Sequence, residues 1–225
     1  MIELAKEKSV TVLSDEVYRP IFHGIGPMDA EFPGSALSSS YERVIVTGSL
    51  SKAYSLAGIR VGWIACRSSE IIEKLAEARH YTTISVSGLD QQVASLATSQ
   101  LCLHGLLGRN IRLAKENVKL VEDFVDEHRE CEWVKPVAGT TAFVRFSRGG
   151  KPVDDVEFCE RLQKETGVML LPGSRGFGDA DGEAWKGYVR IGYVNETDVV
   201  REGLDKLRHF MLLSYKEVPY ADAAP

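Results

Sequence analysis

The feature that most constrains this chain is one long amphipathic stretch near residues 104–129, where Leu113, Val118, Val121 and Val125 fall on a single stripe at helical spacing. Short apolar segments precede it, and a mixture of strands and helices follows it. A long helix between two such regions predicts two packed lobes, the first a parallel α/β piece and the second α+β. The expected divisions are residues 1–104, a connecting helix over 105–130, and residues 131–225.

In the front lobe, Val10, Val12 and Leu13 predict a strand that ends at Ser14-Asp15-Glu16. Val44–Thr47 predicts a second strand, buried on both faces if the sheet is parallel. Arg60–Ala65 predicts a third, and residues 21–41, rich in Gly, Pro and Ser, read as loop. Helices are expected over 69–80 and 88–101. In the rear lobe, strands are expected near 133–135 and 141–146, then a helix near 153–165. Val168–Leu171 leads to Pro172-Gly173, and 187–192 makes a last strand. Asn195 is expected to cap a final helix, with Asp198 at its third position in a capping box. The segment after Tyr215 is expected to fray.

Of the 225 residues, 44% are hydrophobic and 26% charged, as in ordinary soluble globular proteins. A net charge of -5 argues against a nucleic-acid binder. No apolar run approaches the roughly 18 residues of a membrane helix, and MIELAKEKS lacks the apolar core of a secretory leader. Cys66, Cys102, Cys131 and Cys159 are widely spaced and form no CxxC, so they are read as reduced, buried thiols in a cytosolic protein. No metal site is expected. His23, His80, His104, His128 and His209 are scattered, and Asp179, Asp181 and Glu183 do not continue into a calcium-loop pattern. The glycine-rich run Gly173–Gly178 is read as a mobile loop.

The chemistry concentrates in GSLSKAYSLAGIRVGW, residues 48–63. Lys52 follows a strand end among Ser49, Ser51, Ala53 and Ser55, with no acidic neighbour. That setting suits a lysine held covalently as an imine with a carbonyl cofactor. The alternative is a helix-start lysine pointing into water. Arg60 offers planar paired donors that match a phosphate, and Ser49 could add a hydroxyl. Lysine, serine and arginine together imply a cofactor bearing an aldehyde and a phosphate, which is pyridoxal 5'-phosphate. Such a cofactor needs an anion at its ring nitrogen. Asp15, at its strand end, is the candidate, and Tyr18 could bond the ring oxygen. A solvated strand cap is the other reading of Asp15, and Glu16 is read as such a cap. Arg190, between Val189 and Ile191 on an apolar strand, needs a partner, which would be a substrate or a structural ion pair.

These residues carry a resemblance. Ser49-Leu50-Ser51-Lys52, Ser55-Leu56, Gly58, Arg60 and Gly62 look like the cofactor-attachment signature of class I/II aminotransferases, of fold type I. Asp15-Glu16-Val17-Tyr18 resembles the Asp-x-x-Tyr motif ahead of it. The similarity continues through Leu171-Pro172-Gly173, Phe177-Gly178 and Tyr188–Ile191. ARHYTTISVSGLD resembles the branch of capreomycidine synthase-like cyclases. The resemblance implies that residues 1–104 are the C-terminal part of a cofactor-binding large domain and 131–225 a small C-terminal domain. It implies that Lys52 forms the internal aldimine and shuttles a proton, with Asp15 at the pyridinium nitrogen and Tyr18 at the ring oxygen. Ser49, Arg60 and Ser51 would hold the phosphate, and Arg190 the substrate α-carboxylate. Tyr81-Thr82-Thr83 lies where the family reaches into a neighbouring subunit, so a homodimer is expected.

The departure is at the front. A further half-domain precedes the Asp-x-x-Tyr strand in the family, so this chain is expected to be truncated, and a three-stranded parallel remnant would leave an open apolar edge. The expected activity is transfer of an amino group between an amino acid and a 2-oxo acid. The alternatives are a lyase or cyclase on the same fold, or a non-catalytic truncated paralogue.

Overall fold

The structure is a computed structural model, described here for residues 1–177 and 183–221. It divides into two compact units, Met1–Ile111 and Arg112–Pro225.

The first unit opens with a short helix, α1 (Ile2–Glu7), absent from the sequence expectation, and continues into β1 (Val12–Asp15). β1 pairs in parallel with β2 (Val44–Ser49), Val12 opposite Val44 and Asp15 opposite Thr47. β2 is not buried on both faces. Val44 and Val46 are buried while Ile45 and Thr47 are only half-buried, the alternation of a one-sided sheet.

The third strand, β3 (Gly62–Cys66), corrects the expectation of an all-parallel remnant: it runs antiparallel to β2, Ser49 opposite Gly62. A parallel partner needs a crossover, usually a helix, to carry the chain back along the sheet. Between Ser49 and Gly62 there is only a turn and a single 3₁₀ turn at Ala57–Ile59, so the chain folds straight back. The backbones approach closely there, since a Cβ on Gly62 would lie 2.8 Å from the Gly48 carbonyl oxygen. β1 and β3 are both edge strands, and Leu13, Trp63 and Ile64 remain 68%, 45% and 48% exposed. Helices α2 (Ser69–Arg79) and α3 (Gly88–Ala97) follow, begun by Ser68 and Ser87, whose hydroxyls accept from Ile71 and Asp90 N–H.

α4 (Leu103–Glu127) is the long helix the stripe predicts, and Leu113, Val118, Val121 and Val125 are all buried. In the second unit, β4 (Cys131–Trp133), β5 (Thr141–Arg148), β8 (Tyr188–Gly192) and β7 (Leu171–Pro172) form a sheet in that order, with β6 (Lys151–Pro152) paired to β5. β4 begins two residues earlier than expected. Helices α5 (Asp155–Thr166), α6 (Gly173–Gly176) and α7 (Thr197–Leu213) complete the unit. Its core is aromatic, with Phe146 4.6 Å from Phe158 and Phe158 edge-on to Phe210 at 5.4 Å, all fully buried. α5 is capped at both ends: the Asp154 carboxylate accepts from Val156 and Glu157 N–H, and Gly167 turns the chain out at φ 76°.

Three further expectations are corrected in this unit. Asn195 does not cap α7. The cap position is Glu196, whose side chain makes no capping hydrogen bond, and Asn195 Oδ1 accepts from the Glu196 N–H instead. Gly173–Gly176 is a helical turn rather than a loop, and Gly173 is buried so tightly that a Cβ would meet Phe143 and Tyr188 at 2.8 Å. Gly178, Asp179 and Asp181 lie outside the described residues. The segment after Tyr215 is docked as far as Ala221. Arg148 donates to the carbonyls of Tyr215, Lys216 and Val218, Asp154 N–H to Pro219, and Ala221 N–H to Pro152. Residues 222–225 lie outside the described residues. No helix among the described residues is long and apolar enough to cross a membrane. All four cysteines are free, but only Cys131 and Cys159 are buried; Cys66 and Cys102 are half-buried.

Candidate active site

β1 and β2 are parallel, so their C-terminal ends share one edge of the sheet, the edge at which α/β sheets hold ligands. β1 ends at Asp15 and β2 at Ser49. Thr47 stands opposite Asp15, and its Oγ1 donates to Asp15 Oδ1 at 2.9 Å, while Val17 N–H adds a longer bond at 3.4 Å. Thr47 and Ser49 are two apart on one strand and face the same side. Asp15, Thr47 and Ser49 therefore share a face. Asp15 is exposed, and no described residue bonds its Oδ2. Thr47 was not foreseen as an anchor; its signal was a lone hydroxyl in the apolar run Val44-Ile45-Val46.

Glu16, expected to be a solvated cap, is nothing of the kind. Its Oε1 accepts from Ala36 N–H at 2.8 Å and Ser35 Oγ at 3.1 Å, and Oε2 lies 3.6 Å from Arg19 Nε. The neighbouring carboxylate thus pins the 35–36 loop, while Asp15 keeps a free oxygen.

After β2 the chain turns. Leu50 and Ala53 are buried at 1% and 0% exposure, and the exposed Lys52 projects from between them. Ser55 N–H donates to Lys52 O at 3.1 Å and Leu56 N–H to Leu50 O at 2.9 Å, closing the turn. Lys52 is thus in a turn, not at a helix start. Its Nζ lies 5.8 Å from the centre of the Tyr18 ring, and no carboxylate among the described residues pairs with it. Tyr18 follows the end of β1 by three residues, as Lys52 follows the end of β2. Ser49 Oγ accepts from Ser51 N–H at 3.0 Å and lies 2.9 Å from Ser51 Oγ and 3.3 Å from Val61 O. With the Ser49 hydroxyl donating to Val61, Ser51 donates to Ser49, so the two serines act as a pair.

Arg60 does not begin β3. It sits before it at φ 52°, in the left-handed region, with Nη1 donating to Ala57 O at 2.8 Å and the rest of the exposed guanidinium free of described carboxylates. With Arg79, Gly48, Gly62 and Trp63 it lines an open groove of about 880 Å³. Tyr81, Thr82 and Thr83 are exposed beyond the end of α2.

In the second unit, Arg190 is half-buried on β8, opposite Phe143 on β5 and Leu171 on β7. Its guanidinium carbon is 6.0 Å from the centre of the Phe177 ring. Among the described residues no carboxylate pairs with it, which leaves the structural ion pair without a candidate there. Asp155, another residue not foreseen, accepts from Ser174 N–H and Oγ and from Gly187 N–H, and so fixes the entry to β8.

The first unit thus gathers an unpaired amine, a carboxylate with one free oxygen, a phenol, two hydroxyls and an unpaired guanidinium. That donor set fits a ligand with an electrophilic carbon, a basic ring nitrogen and a phosphate, so Lys52, Asp15, Tyr18, Ser49, Ser51 and Arg60 could hold pyridoxal phosphate.

Comparison with known proteins points the same way. The family model "Aminotransferase class I and II" matches residues 1–207. Capreomycidine synthase of Streptomyces vinaceus is 29% identical over 91% of this chain and 48% of its own length. Aspartate aminotransferase of Thermotoga maritima is 28% identical over 94% of the chain and 50% of its own. A solved PLP-dependent aminotransferase from Streptococcus suis superposes with a TM-score of 0.78 at 32% identity, covering 94% of this chain and 51% of that one. The chain spans about half the length of the relatives it matches.

Proposed function

This chain belongs to the aminotransferase class I and II family, and we propose that it contributes the lysine of a pyridoxal 5'-phosphate-dependent transaminase that moves an amino group between an amino acid and a 2-oxo acid. The observation that carries this reading is the unpaired Lys52 amine, 5.8 Å from the Tyr18 ring, on the strand edge where Asp15 keeps a free oxygen. When bound, the cofactor supplies a carbonyl that condenses with amines and a ring that draws electrons from the substrate Cα–H bond.

The chain's own residues do the rest. Lys52 Nζ would hold the cofactor through its carbonyl carbon and, once displaced by the substrate's own amine, would be the base that carries a proton between the substrate Cα and that former carbonyl carbon. The Asp15 carboxylate, steadied by Thr47 Oγ1, would hold a proton on the ring nitrogen. Tyr18 O–H would donate to the ring oxygen. The Ser49–Ser51 pair and Arg60 would hold the phosphate. Arg190 takes the substrate α-carboxylate with its paired donors. Residues 1–104 are read as the C-terminal part of the cofactor-binding domain, 105–130 as a connecting helix and 131–225 as the small domain. The enzyme is read as a cytoplasmic homodimer.

A second reading has an observation of its own, the 29% identity to a capreomycidine synthase. Lyase or cyclase chemistry begins with the same loss of the Cα proton to Lys52 and differs only in what leaves or closes afterwards.

The test is the visible absorption of the 225-residue chain mixed with pyridoxal phosphate, beside Lys52→Ala. A lysine-dependent band that shifts on adding amino acids supports the reading, and release of a 2-oxo acid with the amino group retained on the cofactor, rather than ammonia or a cyclised product, selects transamination. A wild-type spectrum equal to that of Lys52→Ala refutes the reading for this chain and leaves the non-catalytic paralogue.

A further inference from the structure

We infer that Asn110 is a positioning residue that sets the turn presenting Lys52. The inference rests on the reading of Lys52 as the reactive amine. Asn110 lies on α4 within the first unit and is 0% exposed. Its single amide group uses both N–H bonds on the lysine turn, donating to Ala53 O at 2.8 Å and to Ser55 Oγ at 3.0 Å. Its Oδ1 accepts from Arg109 Nη1 at 3.3 Å, so the side chain is satisfied at both ends.

Those two acceptors are the residue after Lys52 and the residue three beyond it. Ser55 has φ 56°, a left-handed conformation that a non-glycine residue holds only where its surroundings fix it. Asn110 is what fixes it. With the Ala53 carbonyl drawn toward α4 and Ser55 N–H closed onto Lys52 O at 3.1 Å, the backbone on the C-terminal side of Lys52 has one arrangement, and the lysine side chain leaves it toward solvent and Tyr18.

The stripe itself does not call for asparagine. Asn110 stands three residues before Leu113 and four before Ala114, at 3% and 0% exposure, where an apolar side chain would serve helix packing. A buried amide is tolerated when fully bonded, and here the bonds go to the lysine turn.

The experiment compares the cofactor-free full chain with Asn110→Leu, Ser55→Ala and, as a packing control on the same helix, Leu113→Ala. The first readout is hydrogen exchange at the backbone amides of Ser55 and Leu56, read by mass spectrometry on peptides. The second is the rate at which pyridoxal phosphate is trapped on the Lys52 peptide by borohydride. Asn110→Leu is expected to speed exchange in the turn about tenfold or more and to slow trapping several-fold, with the β1 and β2 amides unchanged. Ser55→Ala is expected to move both readouts the same way by less, and Leu113→Ala to lower the melting temperature without moving either. Turn exchange equal to wild type in Asn110→Leu overturns the inference, as does an equal change in Leu113→Ala. Should Asn110→Leu not fold, Ser55→Ala decides, and unchanged turn exchange there overturns it. Absence of wild-type trapping at Lys52 refutes the proposed function, while the exchange readout still decides whether Asn110 sets the turn.

Discussion

Replacing Asp155 with alanine should loosen the entry to β8 and, through it, Arg190. Asp155 is 2% exposed, and its carboxylate accepts from Ser174 N–H at 2.9 Å, Ser174 Oγ at 2.8 Å and Gly187 N–H at 3.2 Å. It also sits in the first turn of α5, where a negative charge meets the positive end of the helix dipole. Hydrogen bonds to a charged group are each worth about 1.5–3 kcal/mol, and a buried donor left unpaired costs about 1–3 kcal/mol. Ser174 is half-buried and recovers water, whereas Gly187 is buried and does not. The expected loss is therefore about 3–5 kcal/mol, most of it from Gly187 and the helix end. Asp155→Asn should lose less, about 1–3 kcal/mol, because one oxygen still serves Ser174 while its amide now faces the Gly187 N–H. Urea unfolding in a Trp63→Phe background, followed by the fluorescence of Trp133 and Trp185, both in the second unit, reads the change. A stability of Asp155→Ala within about 1 kcal/mol of wild type would refute the reasoning, because the three donors would then have found other partners.

The remaining predictions concern the candidate site and the titrating groups. On the proposed reading, Arg190→Lys keeps the charge but loses the paired donors, so KM for substrate carboxylates should rise about tenfold or more with kcat little changed; equal falls in kcat and kcat/KM would point to another role. Burial pushes the Cys159 thiol up to about 12 and raises that of Cys131 as well, so both stay protonated at pH 8. Iodoacetamide at that pH should label Cys66 and Cys102 in the native chain, and the other two only after denaturation. The hydrogen bond from Arg208 Nε, at 2.6 Å, holds the Glu127 carboxyl below its ordinary value. A carboxyl lowered on folding contributes stability above its unfolded value near 4.3 and loses it as pH falls through the folded one. Arg208→Gln should return the Glu127 titration, followed by carboxyl carbon NMR, to the ordinary range, and an unchanged titration would assign the shift elsewhere.

What was legible in the sequence was whatever a local pattern determines. The stripe from Leu113 to Val125 gives α4, and the motif resemblance places Lys52, Ser49 and Arg60 on one segment. What was not legible depended on partners distant in the chain. Arg60 looks like the first residue of a strand until the 3₁₀ turn before it places it in the left-handed region. The direction of β3 was set by a missing crossover helix rather than by any residue in the strand. Glu16 and Asp15 are adjacent carboxylates with opposite fates, because only Glu16 meets the Ser35–Ala36 loop, 20 residues on at the Ala36 N–H. The docking of Lys216–Ala221 rests on Arg148, almost seventy residues earlier, whose guanidinium supplies donors to carbonyls that would otherwise face water. Asn110 belongs to the same class. In a stripe of apolar residues a single asparagine reads as an interruption, and only its two bonds to the turn after Lys52, more than fifty residues earlier, give it a purpose. Motif reasoning finds the candidate reactive group, because its chemistry fixes its own neighbours. The residues that hold that group in place are fixed only by their complement, and the complement is brought to them by the fold.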